Sequence, residues 1–366
     1  MSTSRVNAVG LLPFLAVLLL TSCSTARGEE IAFGGGTWIA AGEEARTVSY
    51  KGRSALFLRE ASAELQAVEF ESGTIEFDVA VPEQRGFTGI RFRKQDSGNF
   101  ENFYIRPHQS GQPDANQYQP VFNGNSSWQI HYGPQYSTPV QYQFDAWMHV
   151  RLEVAGDKAD VYINSTEPVL HIVDLKRDPA KGSIEFYSST IGTYYADIKV
   201  VPDSGVRVVD TPAAEADLPD GLVTQWEVSP PIAFDAVTSI SDLSELELGA
   251  ADWSSLSVET NGIANLGRLA TLSDGSNTVL ARLVIPSNAR RPQLLRFGYS
   301  DEVRVFVNGR PVYEGTNLYR SRDHRYLGTV GLFDGLILAL EPGRNEVIFA
   351  VREEFGGWAV MAQLVD

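Results

Sequence analysis

Thr74-Ile75-Glu76-Phe77-Asp78-Val79 sets an apolar side chain at every second position with a polar one between. Successive side chains of a β-strand point to opposite faces, so this alternation buries Ile75, Phe77 and Val79 and leaves Glu76 and Asp78 outside. The pattern recurs in Gly89-Ile90-Arg91-Phe92-Arg93, in Phe103-Tyr104-Ile105-Arg106, in Trp147 to Val154 and in Ala159 to Ile163. Asn164-Ser165 then turns the chain and Val169 to Ile172 returns. Gly182 to Tyr187 and Ala196 to Val201 close the series. None of these stretches holds a helical period over three turns.

Residues 202–225 change character: Pro202, Pro212 and Pro219 stand among Asp, Ala and Gly, as in a linker. Beyond them, Val303 to Val307 runs into Asn308-Gly309 and then Arg310 to Tyr313. Asn-Gly between two strand-like runs predicts a tight hairpin, because both residues tolerate positive φ. Thr278 to Ile285, Leu336 to Leu340, Glu346 to Val351 and Trp358 to Val365 read as further strands, while Leu243 to Leu248 fits a short helix or a strand. Many short strands with frequent turns predict an all-β chain: two β-sandwich or jelly-roll domains, 31–201 and 226–366, joined by the Pro-rich linker.

The length of 366 residues suits two domains. The net charge is −16 and no Lys/Arg cluster exists, which argues against nucleic acid, since phosphate binding needs a basic stripe. Arg5 precedes an apolar run from Val9 to Leu20 that is too short to span a bilayer and has the length of a signal-peptide core. Leu20-Thr21-Ser22-Cys23 follows and resembles the lipobox of bacterial lipoproteins, in which the final cysteine is lipidated. The resemblance implies a cleaved signal peptide over 1–23, a tether over 24–30 and lipid on Cys23 as the membrane attachment. Ser24 in place of Asp implies delivery to the outer membrane of the cell envelope rather than retention at the inner one. Cys23 is the single cysteine, so its lipidation leaves no thiol for a disulfide, a Cys-ligated zinc or a nucleophile.

GTIEFDV at 73–79, FDAWMHVRLEV, ADVYINSTEPVLHI and GSIEFYSS resemble the concanavalin A-like lectin/glucanase superfamily in its laminin-G-like and 3-keto-disaccharide-hydrolase-like branches. LRFGYSDEVRVFVNGRPVYEG and LEPGRNEVIFAVREEFGGWAVMAQL resemble galactose-binding-like jelly rolls. The glucanase branch places a second Glu beyond the Asp on one strand face. Here that place is Ala80, after Glu76 and Asp78, so the motif is broken and no catalytic residue is assigned.

Alternation puts Asn102, Tyr104, Arg106 and His108 on one side of their strand, with Phe103 and Ile105 on the other. Arg91 and Arg93 split in the same way from Ile90 and Phe92, and Gln129 and His131 from Trp128, Ile130 and Tyr132. If the strands are neighbours, one face carries donors for sugar hydroxyls and rings that stack on a sugar. A second cluster spans Tyr319 to Tyr326 and includes Arg320 and Arg322, with Phe355-Gly356-Gly357-Trp358 as an aromatic turn whose glycines permit close approach. The five His lack metal-ligand spacing and no cofactor motif is present. Calcium stays open because loop oxygens such as those of Asp114 or Asp157 could bind it, although no calcium motif occurs. The reading is an envelope lipoprotein that binds carbohydrate or positions a partner protein without catalysis. The rivals are a glycoside hydrolase or lyase at the same groove and a scaffolding module.

Overall fold

The computed structural model describes residues 28–209, 218–246, 253–273, 275–322 and 327–365. Residues 1–27, on which the signal-peptide and Cys23 lipidation readings fall, lie outside the described residues, as do 210–217 of the proline-rich stretch. The first half forms β1 (Glu29–Phe33), β2 (Gly36–Tyr50), β3 (Arg53–Phe70), β4 (Gly73–Ala80), β5 (Thr88–Asp96) and β6 (Asn99–Ile105). It continues with β7 (Asn116–Val121), β8 (Met148–Ala155), β9 (Lys158–Ile163), β10 (Leu170–Ile172), β11 (Gly182–Ser188) and β12 (Thr193–Pro202). Glu29 and Glu30, read as tether, already belong to β1. All neighbours pair antiparallel along the order β10-β9-β8-β4-β12-β3-β11-β5-β6-β7, with β2 on β3 and β1 on β2.

One strand makes this a sandwich. The start of β3 pairs with β12 at Leu56–Leu58, and its later part pairs with β11 from Ala61 onward. Glu60 sits at the break with φ +48. β3 thereby passes from one layer to the other, and the alternating apolar residues of both layers meet. Phe186 of β11 is wholly buried with its ring 4.9 Å from Phe77 of β4, 4.9 Å from Tyr195 of β12 and 5.8 Å from Trp38 of β2.

The second half contributes β13 (Gln225–Val228), β14 (Ser254–Ser257), β15 (Ala264–Asn265), β16 (Thr278–Ser287) and β17 (Arg291–Ser300). It ends with β18 (Glu302–Val307), β19 (Arg310–Thr316), β20 (Asp334–Leu340), β21 (Gly343–Arg352) and β22 (Ala359–Val365). They form two sheets, β14-β13-β16-β21-β18-β19 and β15-β22-β17-β20. Their inner faces meet where Phe297 and Phe349 lie 5.4 Å apart. Asn308 and Gly309 turn β18 into β19 with φ of +49 and +84, the positive pair the hairpin reading required. Val347 to Val351 is an unbroken apolar run, so β21 needs cover on both faces. Short helix α1 (Phe234–Thr238) and the turn at Leu243–Glu245 supply it, packing Val237, Ile240 and Leu243 on Leu280, Phe306 and Ile348. Leu243–Glu245 is a 3-10 turn closed by a capping box between Asp242 and Glu245, which settles the open choice between helix and strand there.

The two halves share a small apolar core of their own: Ile130 from the first meets Ile263, Val330, Ala359 and Met361 from the second. Emptying the sandwich core tests the layer assignment. Phe186→Ala is expected to lower stability by about 3–5 kcal/mol in urea unfolding; a change below about 1 kcal/mol would contradict the place of Phe186 between the layers.

Candidate functional site

β6 carries the wall read from the sequence. Phe103 and Ile105 enter the core, while Tyr104 and Arg106 go to the opposite face. Gly89 of β5 pairs with Tyr104, and a Cβ there would stand 2.2 Å from the Phe103 carbonyl oxygen, so only glycine admits the approach. Arg106 Nη2 donates to the Tyr104 hydroxyl at 2.8 Å and to Gln117 of β7; that hydroxyl donates to Gln117 Oε1 at 2.8 Å. Arg106 Nη1 donates to the Asp114 carboxylate at 3.0 Å. Gln117 Nε2 in turn donates to the carbonyls of Trp128, at 3.0 Å, and His131. The network ties β6 and β7 to the loop that presents Trp128. Burial pushes the Tyr104 phenol up, against the pull of Arg106, so the hydroxyl stays a neutral donor.

The open wall expected from alternation is corrected by this packing. Asn102, Tyr104 and Arg106 are only 5, 4 and 9% exposed. Asn102 is closed in beside Arg91, its partner across the β5–β6 pair. What remains accessible is a cavity of about 410 Å³ at the junction of the halves. Arg85, Phe87, Tyr104, Arg106, His108, Gln109, Asp114, Gln119, Trp128 and Tyr187 line it from the first half, and Tyr319, Arg320, Leu327 and Phe355 from the second. Trp128 stands edge-on to Tyr319 with centroids 6.1 Å apart and tilted to Phe355 at 5.8 Å. Phe87 meets Tyr104 at 5.9 Å and the His108 ring at 5.6 Å. Tyr319 and Phe355 remain 38% and 58% exposed, so the rim offers bare aromatic faces above a hydrogen-bonding floor.

The other sequence candidates fall elsewhere. Arg93 breaks the alternation at a bulge with φ +50; it is buried, and its guanidinium donates to the carbonyls of Glu71 (2.6 Å) and Gly156 (2.5 Å). Arg91 pairs with Glu185 at 2.5 Å and packs on Phe100 and Tyr187. Residues 128–132 form turns rather than a strand, and Gln129 and His131 are fully buried against the second half. Trp358 is a core residue whose Nε1 donates to the Val351 carbonyl at 3.0 Å. Arg322 pairs with Asp334 and donates to the Tyr299 hydroxyl at 2.9 Å. Of that second cluster, 323–326 lie outside the described residues. Glu76 and Asp78 face outward on the other layer, with Asp78 held by Arg53 at 2.5 Å and by His149 Nδ1 at 2.8 Å. Among the described residues no three His, Cys, Asp or Glu side chains gather to hold a metal ion. Alternation missed Trp128, assigning it to a core face; the preceding Asn123-Gly124-Asn125-Ser126-Ser127 was the available sign that this segment is a loop.

Polar contacts lock the pocket walls together. Glu259 of the second half accepts from His131 Nε2 at 2.6 Å and from Arg268 at 2.8 Å, with both His131 and Glu259 buried. Burial would raise the Glu259 carboxyl, but His131, Arg268 and Lys176 outweigh it and hold it well below the usual carboxylate range.

No family model matches the sequence, and no curated protein sequence matches it. Solved structures with a similar fold include the carbohydrate-binding module CBM66 from Bacillus subtilis, at 12% identity over 44% of this chain and 92% of that one, with a TM-score of 0.31. A galectin-like protein of unknown function from Bacillus subtilis matches at 14% identity over 44% and 87%, with a TM-score of 0.31. A Bacteroides ovatus mixed-linkage glucan GH16 protein in complex with its G4G4G3G product matches at 8% identity over 44% and 94%, with a TM-score of 0.29. Likeness of this degree carries no argument about binding.

Glu259→Gln removes the anion that three cationic or polar partners face. It is expected to destabilise the protein by about 3 kcal/mol at pH 7. A depressed carboxyl contributes fully above its unfolded pKa of about 4.3 and loses that contribution as pH falls below it. Chemical denaturation at pH 7 and pH 3 should therefore show the gap between wild type and variant shrinking in acid; a constant gap would contradict the ion pairing.

Proposed function

We propose that this protein is a non-catalytic carbohydrate-binding lipoprotein of the bacterial cell envelope, anchored through Cys23, and that it holds saccharide in the junction pocket. The observation that carries the reading is the pairing of bare aromatic rims, Trp128, Tyr319 and Phe355, with a fixed polar floor of Tyr104, Arg106, His108 and Gln119. A sugar ring has an apolar C–H face that stacks on an aromatic plate and a rim of hydroxyls that needs positioned donors and acceptors. Both are present in a cavity large enough for one or two sugar rings, whose place at a domain junction is usual for ligand sites. Hydrolysis by paired carboxylates calls for two acids about 5–10 Å apart. Asp114 is the one carboxylate among the described lining residues and it is tied to Arg106. Binding is the role this chemistry favours. The membrane attachment rests on the lipobox-like Leu20 to Cys23 alone.

Tyr319→Ala and Phe355→Ala remove part-exposed rings that touch Trp128 and each other, so each should lower the thermal midpoint only slightly. Each is expected to weaken glycan binding about tenfold, the loss of one stacking contact of ~1.4 kcal/mol. A glycan array on the full chain followed by titration calorimetry measures this; no glycan bound at millimolar concentration would sink the proposal. In the producing cell, Cys23→Ser should shift the protein from the membrane to the soluble fraction. Retention on the membrane would refute the lipid anchor.

A further inference from the structure

The junction pocket concentrates positive charge in a strongly acidic chain. The protein carries 46 Asp and Glu against 30 Lys and Arg, yet three guanidiniums, Arg85, Arg106 and Arg320, line this cavity beside a single described carboxylate. Asp114 offsets Arg106 at 3.0 Å. Arg85 and Arg320 are exposed and have no acidic partner among the described residues; Arg320 lies over the Tyr319 ring with its guanidinium carbon 5.0 Å from the centroid. The undescribed 323–326 adds one Asp and one Arg to the sequence, which leaves the formal sum unchanged. Arg106, nine-tenths buried, keeps its Nε without a hydrogen-bond partner.

His108 registers this field. Burial, then Arg85 and Arg106, hold its ring below the usual imidazole value, so it is neutral at pH 7. Its Nδ1 accepts from the Gly86 N–H at 3.4 Å, which places the proton of the neutral ring on Nε2 as one more donor. Among the described residues the cavity therefore presents an excess of donors and two cations without an acidic partner. A neutral sugar, whose hydroxyls donate as readily as they accept, would leave that excess unmatched. A planar or tetrahedral oxyanion matches it, because guanidinium forks meet such groups bidentately.

Resting on the reading that saccharide occupies this pocket, we propose that the saccharide is acidic: a sugar bearing a carboxylate or a sulfate that Arg85 and Arg320 receive while its ring lies against the aromatic rim. The net charge of −16 opposes the approach of any polyanion, so recognition comes from contact at the pocket and not from long-range attraction.

The test compares polygalacturonate, alginate and a sulfated galactan with their carboxyl-reduced or desulfated counterparts, by affinity electrophoresis and calorimetry on the full chain. At least one acidic polymer is expected to bind about tenfold or more tightly than its neutral counterpart, and to weaken between 50 mM and 500 mM salt. Arg85→Gln with Arg320→Gln is expected to bring that ratio to about one, with the thermal midpoint little changed because both side chains are exposed. Preference in the carboxylate arm or the sulfate arm identifies the group. Neutral polymers bound as tightly as acidic ones, with the double variant unaltered, would overturn the acidic assignment and leave saccharide binding standing. No polymer bound in either form would overturn both.

Discussion

Gln129 is the residue on which the site depends. Its backbone N–H donates to the Gly356 carbonyl at 3.0 Å, and its carbonyl accepts from Val330 at 3.2 Å. Its side-chain amide donates to the Leu327 carbonyl at 3.0 Å and accepts from the Ser300 hydroxyl at 3.1 Å. All four partners belong to the second half, and Gln129 itself is fully buried. A buried polar group without its partner costs about 1–3 kcal/mol, so each bond penalises separation of the halves. Gly356 permits the contact: its φ is +106, and a Cβ there would stand 2.5 Å from Gln129 Oε1 and 2.8 Å from Trp128 Nε1. The loop that supplies Trp128 and the loop that supplies Phe355 are thus clamped to each other, and the pocket keeps its walls without a ligand.

The rest of the junction follows the same logic at higher charge. Lys176 Nζ donates to Thr260 at 2.8 Å and pairs with Asp174, while Arg268 bridges Glu259 and the Lys176 carbonyl. Asn123 and Asn125 donate to the carbonyls of Gly267 and Ala270. Asn125 is buried in this contact. Charged groups removed from water in this way specify one docking geometry more than they stabilise it. A pre-organised pocket avoids the ordering entropy that a hinge between the halves would impose on binding.

Much of the fold was legible because the period-two signal is written directly in residues such as Ile75-Glu76-Phe77 and in the Asn308-Gly309 turn. The second half's α1 was not, since five residues leave no periodicity to read; its need could be inferred only from the doubly apolar β21. The site was legible in part. Tyr104 and Arg106 fall on the face that alternation gave them, whereas His108 reaches the cavity from the 3-10 turn Pro107–Gln109, beyond the strand; Tyr319 and Arg320 were singled out by their density of rings and guanidiniums. What failed was the assumption that alternation continues. Arg93 sits at a bulge, where one extra residue turns a side chain to the wrong face. Gln129 and His131 sit in turns, where alternation has no meaning. The wall expected to be open became a floor because Gln117, Asp114 and Phe87 of the same half close over Tyr104 and Arg106, which alternation along one strand does not state.

The exposed rim makes sense only with the buried acids beneath it. Phe355 stays 58% exposed while its ring touches Trp128 at 5.8 Å and Tyr319 at 6.4 Å. Asp301 fixes the loop that carries it by accepting from the N–H groups of Glu354 and Phe355, both at 2.8 Å, while Glu353 accepts from Gly357 at 2.9 Å. Burial pushes the Asp301 carboxyl up to about 6, and burial together with Asp301 pushes Glu353 well above its ordinary value. Two acids buried together weaken the domain relative to apolar packing. The loop's geometry is what they secure: Phe355 is held at the pocket mouth beside Tyr319.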